Sequence, residues 1–180
     1  LLSETHAQFE ACTGHRILER YGMTETNMNT SNPYEGTRRA GTVGMPLPGI
    51  ELKITDASSG ETLPAGEIGQ IEVRGPNVFV GYWNMPEKTL EELREDGFFI
   101  TGDLGRIDEH GYLQIVGRNK DLIISGGYNI YPKEIELVLD EQPGVLESAV
   151  IGAPHPDFGE SVIGILVADG SQPVDLDVIE

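Results

Sequence analysis

Phe98-Phe99-Ile100-Thr101-Gly102-Asp103-Leu104-Gly105-Arg106-Ile107-Asp108-Glu109-His110-Gly111-Tyr112-Leu113-Gln114-Ile115-Val116-Gly117-Arg118-Asn119-Lys120-Asp121 organises the rest of the chain. The apolar triplet at 98–100 predicts a short strand. Residues 104–107 and 112–116 flank Asp108-Glu109-His110-Gly111, a polar tetrad closing on glycine, which predicts a hairpin. Immediately afterwards Gly117-Arg118-Asn119-Lys120-Asp121 is polar and charged, and it marks a break in composition between two units.

Upstream of that stretch, Ile50, Leu52 and Ile54 alternate with Glu51, Lys53 and Thr55, the period of a strand with one buried face. Residues 56–60 are a turn cluster. Residues 68–74 form a second strand with Ile71 and Val73 on one face. Pro86-Glu87-Lys88 opens a helix whose apolar side is expected at Leu90 and Leu93. The region 46–118 is therefore mostly β and is expected to be barrel-like. Residues 26–49 are rich in Asn, Thr, Gly and Pro and read as a long loop. A buried strand is expected over 16–21, and a helix over 4–13, capped by Ser3 and stopped by Gly14.

Downstream, residues 121–125 and 128–131 flank Gly126-Gly127, a second hairpin. Pro132 starts a helix with Ile135, Val138 and Leu139 on one face, ended by Gly144, and strands follow at 146–152 and 161–168. This second unit is α+β. The chain opens at Leu1 in helical composition and closes on Asp177-Val178-Ile179-Glu180, which reads as the start of another helix after Pro173. It is expected to be an internal piece of a longer protein.

Composition removes several function classes. The 180 residues carry 12 Lys and Arg against 30 Asp and Glu, a formal net charge of −18, which argues against nucleic acid and anionic membrane as partners. Hydrophobic residues make up 38% of the chain, too many for a disordered acidic tail. No stretch approaches the roughly 20 apolar residues of a membrane span, and no signal-peptide pattern is visible. A single cysteine, Cys12, excludes an internal disulfide framework and a Cys-based zinc site, and the four histidines lack metal-ligand spacing.

Four short motifs could carry chemistry. Tyr21-Gly22-Met23-Thr24-Glu25 lies where a strand gives way to a loop: an aromatic face can stack on a base, a hydroxyl can bond a phosphate and a carboxylate can hold Mg²⁺. The plain alternative is a polar turn. Asp103, beside Gly102 at a strand end, is either a turn cap or an acceptor for a ribose diol. The run 117–121 is either an exposed charged turn or an interdomain hinge with a nucleotide-facing arginine. Gly126-Gly127 is either a hairpin turn or a place where backbone approaches a ligand closely.

Taken in order, these motifs resemble the acyl-adenylate-forming superfamily of acyl-CoA synthetases, luciferases and peptide-synthetase adenylation domains. The likeness runs through Tyr21 to Glu25, Gly66-Glu67-Ile68-Gly69, Val73-Arg74-Gly75-Pro76, Gly81-Tyr82, Thr101-Gly102-Asp103 and Gly117-Arg118. It continues through Asp121, Ile123, Gly127, Asn129-Ile130, Pro132 and Glu134-Ile135-Glu136 to Pro154-His155 and Gly159-Glu160. Within the superfamily, residues 19–30 and Gly75-Pro76-Asn77-Val78-Phe79 are most similar to the malonyl-CoA synthetase branch.

The resemblance implies an α/β and α+β piece. Residues 1–45 would be the end of the α/β part of a large N-terminal domain with the nucleotide motif, 46–119 its β-rich subdomain, and 120–180 a hinge with the first half of a small α+β C-terminal domain. It implies a ligase that joins malonate, ATP and coenzyme A into malonyl-CoA, AMP and pyrophosphate through an acyl-adenylate. The partners would be a small carboxylic acid, ATP and CoA, with Mg²⁺ as the metal, in the cytoplasm, and with oligomerisation left open. Alternatives are a ligase for another short or aryl acid, a carrier-loading adenylation domain, or a non-catalytic binding module.

Carried over to these positions, Tyr21 would stack on adenine, with Gly22 beside it. Thr24 would bond the α-phosphate and Glu25 hold Mg²⁺, while Asp103 and Arg118 would take the ribose. Lys120 would be the hinge, Gly126 and Gly127 would line the pantetheine tunnel, and Met28 would wall the acyl pocket. A second carboxylate on the substrate demands a cation, and Arg20, the basic residue beside the nucleotide motif, either helps to recognise it, together with an arginine from further upstream, or pairs structurally with an acid such as Glu19 or Glu25. The superfamily's phosphate loop is expected upstream of these residues and its adenylation lysine downstream, so the piece by itself is expected to be inactive.

Overall fold

The computed structural model describes residues 3–174. Contacts divide the chain between Ile115 and Val116, and each unit has its own core. Among the described residues no helix is long and apolar enough to cross a membrane.

The first unit opens with α1 (Ser3–Thr13), stopped as expected at Gly14, whose N–H closes the last turn on the Glu10 carbonyl at 2.8 Å. The Ser3 cap concerns a side chain outside the described set, as does the helix expected at Asp177 to Glu180. The strand expected over 16–21 lies slightly later, as β1 (Arg20–Met23). The expected loop at 26–49 is not one loop. It contains β2 (Asn27–Ser31) and the short β3 (Met45–Pro46), which join β1 in a three-stranded antiparallel sheet of order β1-β2-β3. Polarity concealed β2, because Asn29, Thr30 and Asn32 are buried although polar, and the two-residue β3 is too short to carry a pattern. The Asn29 oxygen accepts from Asn77, while its side-chain nitrogen is buried without a partner among the described residues. The Thr30 hydroxyl donates to the Val43 carbonyl at 2.6 Å, and the Asn32 amide donates to Thr42 O and accepts from the Arg39 N–H, both at 2.9 Å.

A four-stranded antiparallel meander follows: β4 (Glu51–Thr55), β5 (Gly69–Arg74), β6 (Phe99–Ile107) and β7 (Leu113–Arg118). Among the described residues no ladder joins β4 to β7, so the barrel-like expectation takes the form of an open sheet. Ile54, Ile71, Val73 and Leu113 make its core together with Tyr21 of β1. The hairpin predicted around 108–111 is present, with the Asp108 carboxylate accepting from the N–H groups of His110 and Tyr112. The short strand expected at 98–100 is instead the start of a nine-residue strand, β6, that runs on through Thr101-Gly102-Asp103.

β5 is buried on both faces. Ile71 and Val73 are inside as expected, and so is Glu72, whose carboxylate takes a forked pair from Arg94 at 2.9 and 2.6 Å, the Thr55 hydroxyl at 2.8 Å and the Lys53 ammonium at 3.3 Å. Arg94 leaves α2 (Pro86–Glu92), which starts at the expected proline. The expected apolar side of α2 is corrected: Leu90 is 79% exposed, since the helix is tied down by polar contacts of Lys88, Thr89 and Glu92.

In the second unit a single 3-10 turn, Asn119–Asp121, connects to β8 (Ile123–Ser125) and β9 (Tyr128–Ile130). Ser125 pairs with Tyr128 across Gly126-Gly127, at φ +57° and +84°, the left-handed conformations that a two-residue hairpin turn demands. Then come α3 (Pro132–Asp140), β10 (Val145–His155) and β11 (Gly159–Ala168), with sheet order β10-β11-β8-β9. The last two strands are longer than expected and leave only residues 156–158 as their turn. Leu139 and Ile135 pack against Ile123 and Val150, whereas Val138, expected on the same face, is 60% exposed. β11 meets β8 at one residue pair, reinforced by the Glu160 carboxylate accepting from the Ile124 N–H at 2.7 Å.

Candidate functional site

Tyr21 and Asp103 lie 82 residues apart in sequence and meet in space. The tyrosine hydroxyl donates to Asp103 Oδ2 at 2.6 Å, and both residues are buried. A bulge makes this possible. Gln70 pairs with Leu104 and Glu72 with Ile100, so Ile71 alone stands opposite Thr101, Gly102 and Asp103. Bulges of this kind re-aim a side chain. Thr101 repairs the interrupted ladder, its hydroxyl donating to the Ile71 carbonyl at 2.9 Å and accepting from the Asp103 N–H at 3.1 Å. The strand-end and turn-cap pictures of Asp103 are thereby corrected: the residue lies inside β6, and the local hydroxyl role belongs to Thr101.

Thr24, Glu25 and Thr26 form the tip of the β1–β2 hairpin. Thr24 is exposed and Glu25 half-buried. Asn27 turns the chain at φ +50°, a conformation asparagine tolerates. A second bulge follows: Tyr21 pairs with Thr30 and Gly22 with Met28, which makes Asn29 the extra residue. Gly22 is required by proximity, since a Cβ there would stand 2.0 Å from the Asn27 carbonyl oxygen and 2.8 Å from the Met28 sulfur. Gly22 and Met28 are thus neighbours across the hairpin.

Residues 75–82 brace this hairpin from outside, a role that the sequence alone does not reveal. The Asn77 amide donates to Thr26 O at 2.6 Å, Asn29 Oδ1 at 3.0 Å and Met28 O at 3.3 Å. The Phe79 N–H donates to the Glu25 carbonyl at 2.8 Å. Phe79 then packs edge-on against Phe99 and Tyr82, with ring centroids 5.4 and 4.8 Å away. The Tyr82 hydroxyl sits between two carboxylates, 2.6 Å from Glu92 Oε2 and 3.2 Å from Glu25 Oε1. Burial first, then the neighbouring Glu92 and Glu25 carboxylates, push the phenol up from its ordinary range. The only sequence signal for this brace is the presence of Asn77 and Gly81-Tyr82 within the shared motifs.

The remaining expected residues are placed as follows. Arg20 is exposed; alternation on β1 puts it on the face opposite Tyr21. The acids beside it are engaged elsewhere: Glu19 accepts from the His6 ring at 2.8 Å, and Glu25 faces Tyr82. Arg118 ends β7 and Lys120 lies in the 3-10 turn, both exposed. Gly126 and Gly127 are accounted for by the hairpin turn, and the space beside Gly127 is open within 4 Å. The structure brings together Tyr21, Gly22, Thr24, Glu25, Met28 and Asp103 within the first unit. Arg118, Lys120, Gly126 and Gly127 belong to the second unit.

Known proteins share this arrangement. The malonate–CoA ligase of Arabidopsis thaliana is 50% identical over 165 residues, covering 91% of this chain and 26% of that protein. A long-chain-fatty-acid–CoA ligase of Yersinia pestis is 42% identical over 156 residues, covering 86% of this chain and 27% of that protein. The crystal structure of ATP-bound MatB from Rhodopseudomonas palustris superposes with a TM-score of 0.93 at 63% identity, covering 97% of this chain and 35% of that one. The chain therefore spans about a quarter of the length of the curated relatives it matches. Residues 1–83 match the AMP-binding enzyme family, residues 134–180 match the AMP-binding enzyme C-terminal domain, and the chain belongs to the family of AMP-binding enzymes.

Proposed function

We propose that these residues form part of an ATP-dependent acid–CoA ligase that activates malonate. The observation that carries the reading is the buried Tyr21–Asp103 hydrogen bond, which joins the two adenosine motifs directly beside the Thr24-Glu25 turn. The likeness to the Arabidopsis malonate–CoA ligase supports the choice of acid. In this reading a malonate carboxylate oxygen attacks the α-phosphorus of ATP and pyrophosphate leaves. The thiol sulfur of coenzyme A then attacks the acyl carbon, the thiol proton is lost, and AMP leaves. On this reading the enzyme works in the cytoplasm, where malonate, ATP and coenzyme A meet.

The first step crowds negative charge at phosphorus, so donors and cations supply most of the catalysis. Tyr21 stacks on adenine on this reading, and Asp103 accepts from the ribose hydroxyls, assisted by Arg118. Exposed Thr24 donates its hydroxyl to the α-phosphate. Glu25 fits a magnesium ion: it is half-buried and makes no ion pair among the described residues. No cluster of three or more acidic, His or Cys residues that could cage a metal exists among the described residues either. A single carboxylate suits Mg²⁺, which keeps phosphate oxygens and water as its other ligands. When bound, the ion would neutralise phosphate charge. Met28 walls the acyl pocket, where a flexible thioether fills space around a short substrate. Lys120 serves as the pivot between the half-reactions, and Gly126-Gly127 as the pantetheine segment. The 180 residues alone are inactive on this reading.

A ligase for another short or aryl acid is the second reading. Arg20 favours it, because the one basic residue beside the motif faces away from Tyr21. The test is pyrophosphate release and thioester formation by the complete protein with ATP, Mg²⁺ and CoA, comparing malonate, propionate and benzoate. A preference for malonate in both steps is expected; a preference for either monocarboxylate overturns the malonate assignment.

A further inference from the structure

We propose that Tyr82 is a positioning residue for the Glu25 carboxylate, and that Glu92 and Lys88 of α2 hold Tyr82 in that role. The proposal rests on the reading of Glu25 as the magnesium ligand. Every part of Tyr82 is fixed independently of Glu25. Its N–H donates to Thr89 Oγ1 at 2.9 Å, and its ring takes the edge-on contact of Phe79 at 4.8 Å. Its hydroxyl donates to Glu92 Oε2 at 2.6 Å, while the Lys88 ammonium holds the other Glu92 oxygen at 2.5 Å. Glu92 is therefore engaged on both oxygens.

Glu25 presents the opposite case. Its backbone is pinned, because the Phe79 N–H donates to its carbonyl at 2.8 Å. Its carboxylate has no ion pair among the described residues, and Tyr82 Oη, 3.2 Å from Oε1, is its hydrogen-bond partner. A phenol has one proton and here faces two carboxylates. The hydroxyl is shared between them: the Glu92 contact is the shorter, and the longer contact at 3.2 Å fixes where Glu25 Oε1 sits. Outer partners of this kind orient a ligating carboxylate without touching the metal. Helix α2 contributes no residue to the expected nucleotide contacts. It acts on the site through a relay of contacts that runs from Lys88 to Glu92, then to Tyr82 and Glu25.

The test uses the complete protein and Mn²⁺ as a paramagnetic probe, titrated in the presence of ATP and followed by electron paramagnetic resonance. Tyr82→Phe is expected to raise the half-saturating Mn²⁺ concentration roughly tenfold, with metal-free ATP affinity unchanged. Glu25→Gln is expected to raise it at least as far, and the double variant no further than Glu25→Gln. If Glu25→Gln leaves Mn²⁺ binding unchanged, Glu25 is not the ligand and the proposal falls with that reading. If Glu25→Gln weakens binding and Tyr82→Phe does not, the positioning role alone is overturned. Should Tyr82→Phe fail to fold, Glu92→Gln decides: it keeps the side-chain shape, a several-fold weakening of Mn²⁺ binding is expected, and no change overturns the proposal.

Discussion

Glu72 and Glu25 are both carboxylates in the first unit, and they are treated in opposite ways. Glu72 is fully buried and surrounded by opposite charge: the Arg94 fork, the Lys53 ammonium and the Thr55 hydroxyl use both its oxygens. Glu25 is half-buried at a hairpin tip, lacks an ion pair among the described residues, and faces a phenol already committed to Glu92. The first carboxylate is consumed in holding β4, β5 and the segment after α2 together. The second, on the proposed reading, is left for a ligand. Burial and ion pairing change together between the two acids, and on the proposed reading the less buried, unpaired one is the one that binds.

The most severe way to break this contrast is Glu72→Ala. It removes the buried acceptor of the Arg94 fork, the Lys53 ammonium and the Thr55 hydroxyl. Because both cations keep part of their surface in water and Asp96 within reach, the expected loss is about 2 kcal/mol of unfolding free energy, read by urea denaturation. Glu25→Gln should leave stability within about 0.5 kcal/mol of the parent. Equal losses would erase the distinction. Titration gives a finer version. Burial on its own would raise the Glu72 carboxyl, but the Arg94, Thr55 and Lys53 contacts outweigh it and hold the group below the ordinary carboxylate range. Its stabilisation is therefore present above the unfolded-state value and is lost as pH falls through the lowered folded-state value. Glu72→Gln should flatten the acid limb of the stability profile; an unchanged limb would mean that other carboxylates control it.

Asp103 tests the middle ground, a buried acid that accepts from a neutral phenol. Asp103→Ala in the complete protein should weaken ATP binding by about 2 kcal/mol, the scale of a charged hydrogen bond, measured by calorimetry. Unchanged affinity with a lowered melting temperature would move Asp103 into the class of Glu72. The comparison extends to cations. Lys53 is committed to Glu72, while Lys120 lies exposed in its 3-10 turn. Lys120→Pro fixes φ near −65°, a value such a turn accepts. Adenylate formation should persist and thioester formation should fall by an order of magnitude; parallel loss of both steps would remove Lys120 as the pivot.

The smallest effect is expected at Arg20, the uncommitted counterpart of Arg94. Arg20→Met should lower malonate turnover a few-fold more than turnover of a monocarboxylate of similar size, an exposed charge being worth about 1 kcal/mol or less. Equal loss on both acids, or none, would remove Arg20 from substrate recognition.

Local signals in the sequence are good guides where turn chemistry dominates. The tetrad at 108–111, Gly126-Gly127, Pro86 and Pro132 each mark their element correctly, because those residues act on their own backbone. Polarity misleads where polar groups are buried. β2 is concealed by the buried polar residues Asn29 and Thr30, β3 by its two-residue length, and the length of β6 by the bulge around Gly102. The apolar sides drawn through Leu90 and Val138 fail because single positions on short helices carry little directional information. The Tyr21–Asp103 contact spans 82 residues and the Tyr82–Glu25 contact 57. No local pattern reports such pairings; the order of the motifs could supply the first, and only the fold supplies the second.

The near-collision at Gly22 sets a rule for altering substrate scope. A methyl group there would overlap the carbonyl of Asn27, so any side chain at this position forces the two strands apart and rebuilds the hairpin. Met28 lies on the same rung and ends in a flexible chain that can be shortened or branched in place. On the proposed reading that Met28 walls the acyl pocket, that rung holds one tunable group and one fixed one, and new acyl preferences are expected from substitutions at Met28 while Gly22 stays as it is.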